Sequence, residues 1–233
     1  MEQSGASALI EGAVQDLASG VVSALRGGDP PRVSGAIAAD GPERGLALAA
    51  VRVLGADALL APVLRRIPPD PGELALFREA VTAFPPRAGA APTVVWSHWA
   101  MTRTLRRLEP SGAPSAPAPA EPEARWLDVA SWQLLTHQLA VLAPLARSGE
   151  DTAVLRAARR RPVDVARGFV RAVRRRDWRQ AAGAGRWLTL LDGVPGTLGL
   201  ETGLDFVDLM GGADPRVALQ VEAARLMRTG TLV

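Results

Sequence analysis

Apolar residues recur every three or four positions along most of this chain, and that spacing is the feature that most constrains its fold. Ile10, Val14, Leu17, Val21 and Leu25 form one such stripe, and a stripe of this kind is typical of an amphipathic helix. No segment alternates convincingly at period two, the pattern of a half-buried strand. Ala and Leu carry most of the apolar content, and both are strong helix formers. The sequence therefore predicts an all-α fold.

Asp-Pro pairs mark the starts of three of the predicted helices. An Asp side chain accepts hydrogen bonds from the first free backbone N–H groups, and Pro is favoured at the first helical position. The pairs are Asp29-Pro30, Asp70-Pro71 and Asp214-Pro215. Together with the apolar spacing they predict helices near 6–26, 30–39, 43–66, 71–84, 93–108, 125–147, 150–160, 162–176, 178–192 and 198–229, the last broken around Gly211.

A proline- and alanine-rich stretch, 109–124, interrupts the helical pattern. It holds five prolines and no apolar periodicity, so it favours extended conformations and cannot bury a core. We predict a linker or exposed loop there, joining two helical-bundle halves, 1–108 and 125–233. A docking peptide for a partner is the alternative, but flanking Arg or aromatic anchors are missing, which favours the linker.

The two halves share residues at a constant offset of 148. Each copy has the pattern of an amphipathic helix, a capped turn and a second helix, and the recurrence of this pattern is typical of a duplicated helical hairpin. In a chain this rich in Ala, Gly and Arg such matches also arise by composition, so both interpretations stay open. Ala18, Gly20, Val22, Ala24, Arg26, Asp29, Gly35 and Ala36 correspond to Ala166, Gly168, Val170, Ala172, Arg174, Asp177, Gly183 and Ala184.

Four residue types, Cys, Lys, Tyr and Asn, are absent. Their joint absence is expected of a gene from a GC-rich bacterium, because of the codons that encode them. Without Cys the chain has no disulfide, no thiolate nucleophile and no zinc–thiolate site. Without Lys it has no phosphate-binding Walker sequence.

Candidate catalytic and metal-binding residues are few. His98 and His137 lie in helical sequence crowded by Trp and Leu, which favours a structural role over that of a base or ligand. Glu201, Asp205 and Asp208 share a helical face that could hold Mg²⁺, but a solvated face has the same pattern. We therefore predict no catalytic residue, no metal site and no cofactor.

The strongest local signal is a basic segment, 156–179. Between residues 150 and 191 there are 11 Arg against 4 acidic residues. Arg167, Arg171 and Arg174 recur at i, i+4 and i+7, so they share one helical face with Arg175 beside it. The residues predicted on the opposite, core-facing side are Val165, Phe169, Val170, Ala172 and Val173.

A guanidinium group suits carboxylates and phosphates in bidentate pairs. The predicted partner- or anion-binding residues are therefore Arg160, Arg167, Arg171, Arg174 and Arg175. A merely solvated face is the competing interpretation. No aromatic residue alternates with these arginines, and no DNA- or RNA-binding motif is present.

The function expected from these patterns is that of a non-catalytic helical adaptor or structural subunit acting through protein–protein contacts. The alternative is a nucleic-acid-binding accessory protein that uses the Arg-rich helix. A protein partner is expected, and association of the chain with a second copy of itself is an open alternative. The six tryptophans are interpreted as core anchors or interface residues.

No uninterrupted apolar run reaches the length of a membrane span and no signal peptide is recognised, so we expect a cytoplasmic location.

Overall fold

The computed structural model describes residues 2–27, 41–109 and 119–228. Within these ranges the regular structure is helical and contains no strand, so the predicted all-α class is confirmed. Short 3₁₀ segments lie at Gly55–Leu59, Arg125–Leu127, Ala143–Leu145 and Gly196–Leu198. The α-helices are α1 Glu2–Leu25, α2 Pro42–Leu54, α3 Leu60–Arg65, α4 Pro71–Ala83, α5 Pro92–Leu108, α6 Trp132–Val141, α7 Ala153–Arg159, α8 Pro162–Arg174, α9 Trp178–Leu188, α10 Leu200–Gly211 and α11 Pro215–Arg228.

Two of the three Asp-Pro helix starts are present as predicted. The Oδ1 atom of Asp70 accepts hydrogen bonds from the backbone N–H of Gly72 at 2.8 Å and of Glu73 at 3.1 Å. Asp214 accepts one from the backbone N–H of Arg216 at 3.0 Å, and α10 and α11 are separate helices, broken after Gly211 as expected. The third pair, Asp29-Pro30, and the predicted helix 30–39 lie outside the described residues.

Two predicted long helices are shorter in the structure. The helix predicted over 43–66 is interrupted at Gly55, whose φ of +62° lies in the left-handed region that favours glycine. The helix predicted over 125–147 becomes α6 alone. Ser131 caps its start, accepting a hydrogen bond from the backbone N–H of Leu134 at 3.3 Å, and its end is followed by a 3₁₀ segment that contains Pro144.

Contacts among the described residues define two compact units. The N-terminal unit comprises the described part of Met1–Ala90 and Ser97–Ala120, and the C-terminal unit comprises the described part of Ala91–Trp96 and Glu121–Val233. The linker predicted over 109–124 stays a prediction, because residues 110–118 are outside the described ranges. The internal duplication also stays a prediction, since three of its residues, 29, 35 and 36, fall outside them.

In the N-terminal unit, α1 packs against α2, and α2 packs against α4. The apolar stripe predicted on α1 lies at this contact, with Val14, Val21 and Leu25 buried. Between these helices is an apolar cavity of about 140 Å³. Glu73 of α4 lies in the cavity wall, where burial, and to a lesser degree the neighbouring Asp70, raises the pKa of its carboxyl group to about 7.

Two helical stretches among the described residues are long and apolar enough to cross a membrane. They are Gly5–Leu25 and Pro42–Arg65, and 28% and 61% of their most apolar windows are buried inside the protein. A core helix of a soluble protein meets the same criteria of length and hydropathy, so these stretches assign no location.

The C-terminal unit is built around α9. This helix contacts α6, α8, α10 and α11, and all residues from Ala181 to Leu188 are buried. Arg186 is fully buried among them. Its Nε donates to the carbonyl oxygen of Ala146 at 3.0 Å, and its Nη1 donates to the Oε1 of Gln220 at 2.8 Å. The guanidinium group therefore ties α9 to α11 and to the end of the segment that follows α6.

Glycines allow α6 to approach α8 and α9 closely. A Cβ atom added at Gly183 of α9 would lie 2.9 Å from the backbone Cα and O of Ala140 in α6, and one at Gly168 of α8 would lie 1.9 Å from the Oγ1 of Thr136. No real Cβ occupies such positions, so neither site accepts a side chain without moving a helix. These two contacts set the spacing of α6, α8 and α9.

Gly183→Ala is expected to lower the free energy of unfolding by about 1–3 kcal/mol, because the added methyl group meets backbone atoms that cannot rotate away. Urea unfolding followed by circular dichroism measures the change. The matched control is Gly196→Ala, at a position in the same unit where an added Cβ meets nothing within 4 Å. Equal stability of the two variants would contradict the close approach of α9 to α6.

Glu73→Gln is expected to stabilise the protein at about pH 8, and the gain should shrink toward about pH 5. The folded state holds a proton on Glu73 up to a pKa of about 7, whereas an unperturbed carboxyl releases it near 4.5. Between these values the folded state binds more protons, so the wild type gains stability as pH falls, and the glutamine variant lacks that gain. Urea unfolding at both pH values measures it, with Asp16→Asn on the exposed side of α1 as control. A gain independent of pH would show that Glu73 titrates normally.

Candidate functional site

The basic segment, 156–179, comprises the end of α7, all of α8 and the first residues of α9, with the turns between them. Arg161 anchors the first turn, because its Nη1 donates to the carbonyl oxygens of Leu127 at 3.1 Å and Ala130 at 2.7 Å, while its Nη2 binds Asp164 at 2.7 Å. At the other end Arg176 adopts a left-handed φ of +58°. The backbone there turns sharply into α9, so both ends of α8 are held by the C-terminal unit.

The exposed face of α8 carries the predicted arginines and also apolar residues. Arg167, Arg171, Arg174 and Arg175 are exposed, as the helical spacing predicts. Val170 was predicted on the buried side, and that prediction is wrong: the residue is 43% exposed. Val170 lies at the edge of the apolar side of α8. Successive residues are 100° apart around a helix, so a residue next to a buried one in the sequence can already point toward solvent. Val165, Phe169 and Ala172 are buried as expected.

These residues line an open groove of about 790 Å³. Its remaining walls come from the start of α6 and from the 3₁₀ turn that precedes α10. All the charged residues in its lining are arginines, and the rest are apolar except for one threonine. The lining residues are Trp132, Val163, Ala166, Arg167, Val170, Arg171, Arg174, Arg175, Pro195, Thr197 and Leu198.

Trp132 is the aromatic residue of the groove. The Cζ atoms of Arg167 and Arg171 lie 5.6 Å and 5.4 Å from the centre of its ring, within the range of a cation–π interaction. The sequence did not indicate this contact, because Trp132 is 35 residues before Arg167 and no spacing rule connects them. It depends on the close approach of α6 to α8.

Ion pairs distinguish the arginines of the groove from their neighbours. Arg160, a predicted binding residue, does not line the groove and pairs with Asp128. Arg167 lies 3.8 Å from the carboxylate of Asp164. The other three groove arginines, at positions 171, 174 and 175, form no ion pair with another residue in the described part of the chain. Apart from Asp164 beside Arg167, no carboxylate of the described residues therefore pairs with the concentrated positive charge of the groove.

The acidic face considered for a metal ion is occupied by arginines of α11. Arg225 lies 2.7 Å from Asp205 and 2.8 Å from Asp208, and Arg228 lies 3.3 Å from Glu201. Within the described ranges there is no cluster of three His, Asp or Glu side chains that could hold a metal ion. The face is thus an interhelical ion-pair network between α10 and α11.

Both histidines lie outside the groove. His98 is partly buried on α5, where burial lowers the pKa of its imidazole and the nearby charge of Arg52 lowers it further. The adjacent Ser97 accepts a hydrogen bond from the Nη1 of Arg52 at 3.3 Å. His137 is exposed on α6.

The tryptophans divide between core and surface. Trp96 and Trp187 are fully buried, and their Nε1 groups donate to backbone carbonyl oxygens of Glu123 at 3.0 Å and Leu139 at 2.6 Å. Trp99 is buried as well. These three residues act as the core anchors that the sequence suggested, whereas the other three are partly exposed: Trp126, Trp132 and Trp178.

The groove on α8 combines unpaired guanidinium groups, an aromatic ring and exposed aliphatic side chains. Guanidinium groups bind carboxylates or phosphates, and the aliphatic residues bind apolar groups. Its chemistry is therefore that of a site for an anionic ligand with an apolar part. No protein-family model, curated protein or solved structure matches the chain.

Proposed function

We propose that this chain is a non-catalytic helical binding protein that works through protein–protein contact, and that it docks an acidic segment of a partner in the groove on α8. The observation that carries the proposal is the lining of the groove. Four arginines lie beside exposed aliphatic residues, and no acidic side chain is among the lining residues. Such a surface has low affinity for cations and attracts anions.

A peptide carboxylate satisfies the unpaired arginines better than water does when apolar groups exclude solvent around the pair. A hydrogen bond to a charged group contributes about 1.5–3 kcal/mol, and Arg–carboxylate pairs are often bidentate. Val163 and Val170, which are 52% and 43% exposed, are then removed from water by the same partner. The arginines select an acidic partner, and the valines select one with apolar side chains.

Nucleic acid is the competing ligand, since arginines bind phosphates equally well. Two features favour a protein. The ring of Trp132 is already in contact with Arg167 and Arg171, so a base would have to displace a guanidinium group in order to stack there. The valines of the groove have no role in contacts with a phosphate backbone.

The non-catalytic part of the proposal is supported by where the candidate bases lie. His98 belongs to the N-terminal unit, and His137 does not line the groove. The groove itself has no carboxylate, imidazole or thiol in its lining. Nothing among its residues offers a general base or a nucleophile, apart from the hydroxyl of Thr197.

The test is fluorescence anisotropy with a labelled short peptide that contains both Glu and Leu, and with single- and double-stranded DNA of equal charge. At physiological salt we expect the peptide to bind. Replacing two unpaired guanidinium groups by carboxylates, in Arg171→Glu with Arg174→Glu, should weaken binding by about tenfold or more, since attraction becomes repulsion.

The control double variant is Arg87→Glu with Arg125→Glu, which changes the net charge equally at exposed arginines outside the groove. It should bind the peptide like the wild type. If DNA binds, the peptide does not, and the groove variant abolishes DNA binding, the nucleic-acid function replaces the proposed one. Equal losses in both double variants would show a general charge effect and reject the groove as the site.

A further inference from the structure

The cavity of the N-terminal unit is a second candidate site, and it shares no lining residue with the groove on α8. Its volume is about 140 Å³, close to the roughly 150 Å³ of an apolar protein cavity that binds benzene. Its walls come from α1, α2, α3, α4 and the segments that join the last three of these helices. A ligand whose apolar part has about six carbon atoms therefore fits the space.

Most of the wall is apolar. The side chains that α1 and α4 contribute to it include Leu17, Val21, Leu76 and Phe77. Three prolines, Pro62, Pro68 and Pro69, also line the cavity. A proline presents an apolar ring and has no backbone N–H to donate. This wall therefore binds the hydrocarbon part of a ligand and offers few donors to a carboxylate.

The described residues that line the cavity include three charged ones, Arg65, Asp70 and Glu73. The Nη2 of Arg65 donates to the carbonyl oxygen of Leu25, at the end of α1, at 2.9 Å. Asp70 caps the start of α4. The partly buried carboxyl group of Glu73 has neither a hydrogen bond nor an ion pair with another described residue. Glu73 is thus the polar group of the cavity that a ligand can satisfy.

The start of α4 has no free donors for an anionic ligand. Helix starts bind anions through backbone N–H groups that lack a partner within the helix. Here the N–H groups of Gly72 and Glu73 donate to the Oδ1 of Asp70. That of Leu74 donates to the carbonyl oxygen of Asp70 at 3.0 Å, and Pro71 has no N–H. The donors that bind a carboxylate or phosphate at other helix starts are therefore already used.

A carboxylate in apolar surroundings is stabilised by a proton or by a cation, because burial without a partner disfavours its charged form. At Glu73, burial and then the charge of Asp70 raise the pKa of the carboxyl group to about 7. A cation beside the carboxylate has the opposite effect and favours the charged form. At neutral pH, Glu73 can therefore exchange its proton for a cationic ligand.

We infer that this cavity binds a small apolar amine, whose ammonium group pairs with the carboxylate of Glu73 and whose hydrocarbon part contacts the apolar wall. A neutral ligand of the same shape leaves the carboxylate without a partner, and an anionic one adds a negative charge near Glu73 and Asp70. A metal ion needs several oxygen ligands, and the described residues contain no cluster of three acidic or histidine side chains that could hold one. The inference goes beyond the proposed function and does not depend on it.

The test is an NMR titration of the isotope-labelled full chain, which reports both the affinity and the location of binding. The probes are benzylamine, benzyl alcohol and benzoate, which have similar shapes and different charges. Benzylamine should bind about tenfold more tightly than benzyl alcohol at about pH 8. Benzyl alcohol in excess should compete with benzylamine, since both contact the same wall, whereas benzoate should not.

The affinity for benzylamine should fall about tenfold from about pH 8 to about pH 6. Amines stay protonated over this range, as the side chain of Lys does, whereas Glu73 takes up a proton below its pKa of about 7. The other charged residues of the lining are Asp70, beside Glu73 at the start of α4, and Arg65 of α3; α1 and α2 contribute uncharged residues alone. The affinity for benzyl alcohol should not fall.

Glu73→Gln keeps the shape of the side chain and removes its charge. It should weaken benzylamine binding about tenfold at about pH 8 and abolish the pH dependence, while benzyl alcohol binds as before. The control is Glu43→Gln, which removes the same charge at an exposed position of α2 outside the lining. It should bind both probes like the wild type. Equal benzylamine affinity of the wild type and Glu73→Gln would overturn the inference.

Ala58→Leu tests the cavity itself, because it adds a larger side chain to the lining. It should weaken binding of benzylamine and benzyl alcohol alike, whereas Ala8→Leu, on an exposed part of α1 outside the lining, should weaken neither. Failure of benzylamine to bind the wild type, or its displacement by benzoate, would also overturn the inference. These results would leave the function proposed for the groove unaffected, because the two sites share no residue.

Discussion

The contact between α6 and its two neighbours is the constraint on which the C-terminal unit depends. Gly168 and Gly183 let the backbones of α8 and α9 come so close to α6 that a single added carbon has no room. At this contact, close approach of the backbones takes the place of the large side chains that usually fill such a space. The same closeness brings Trp132 of α6 under the arginines of α8. Packing and candidate site thus share one cause.

One residue type, arginine, has three physical roles in this unit. Arg186 is buried and donates to a carbonyl and an amide oxygen, so it acts as part of the core. Arg225 joins α10 and α11 by binding carboxylates of α10. Those of the groove lack a carboxylate partner in the described chain, apart from Arg167. What separates the roles is the location of acidic groups in space, not the spacing of arginines along the chain.

This division explains how much of the site could be predicted from the sequence. The exposed face of α8 follows from local periodicity, and the sequence predicted it. The pairing of Arg160 with Asp128, and the contact of Arg171 with Trp132, join residues more than thirty positions apart, so no local rule reveals them. The all-α class was predictable from the same local periodicity as the arginine face. The break at Gly55 was not, because it depends on a left-handed backbone conformation that many glycines do not adopt.

The uncompensated arginines of α8 also have a consequence for the free protein. Arg167, Arg171 and Arg174 stand one helical turn apart, and like charges at this spacing repel each other. This repulsion lowers the stability of the free protein, and under the proposed function an acidic partner relieves it. Selection for stability alone would remove these charges, because surface-charge optimisation is among the easiest ways to stabilise a protein. Under the proposed function, the same charges that lower the stability of the free protein provide its affinity for a partner.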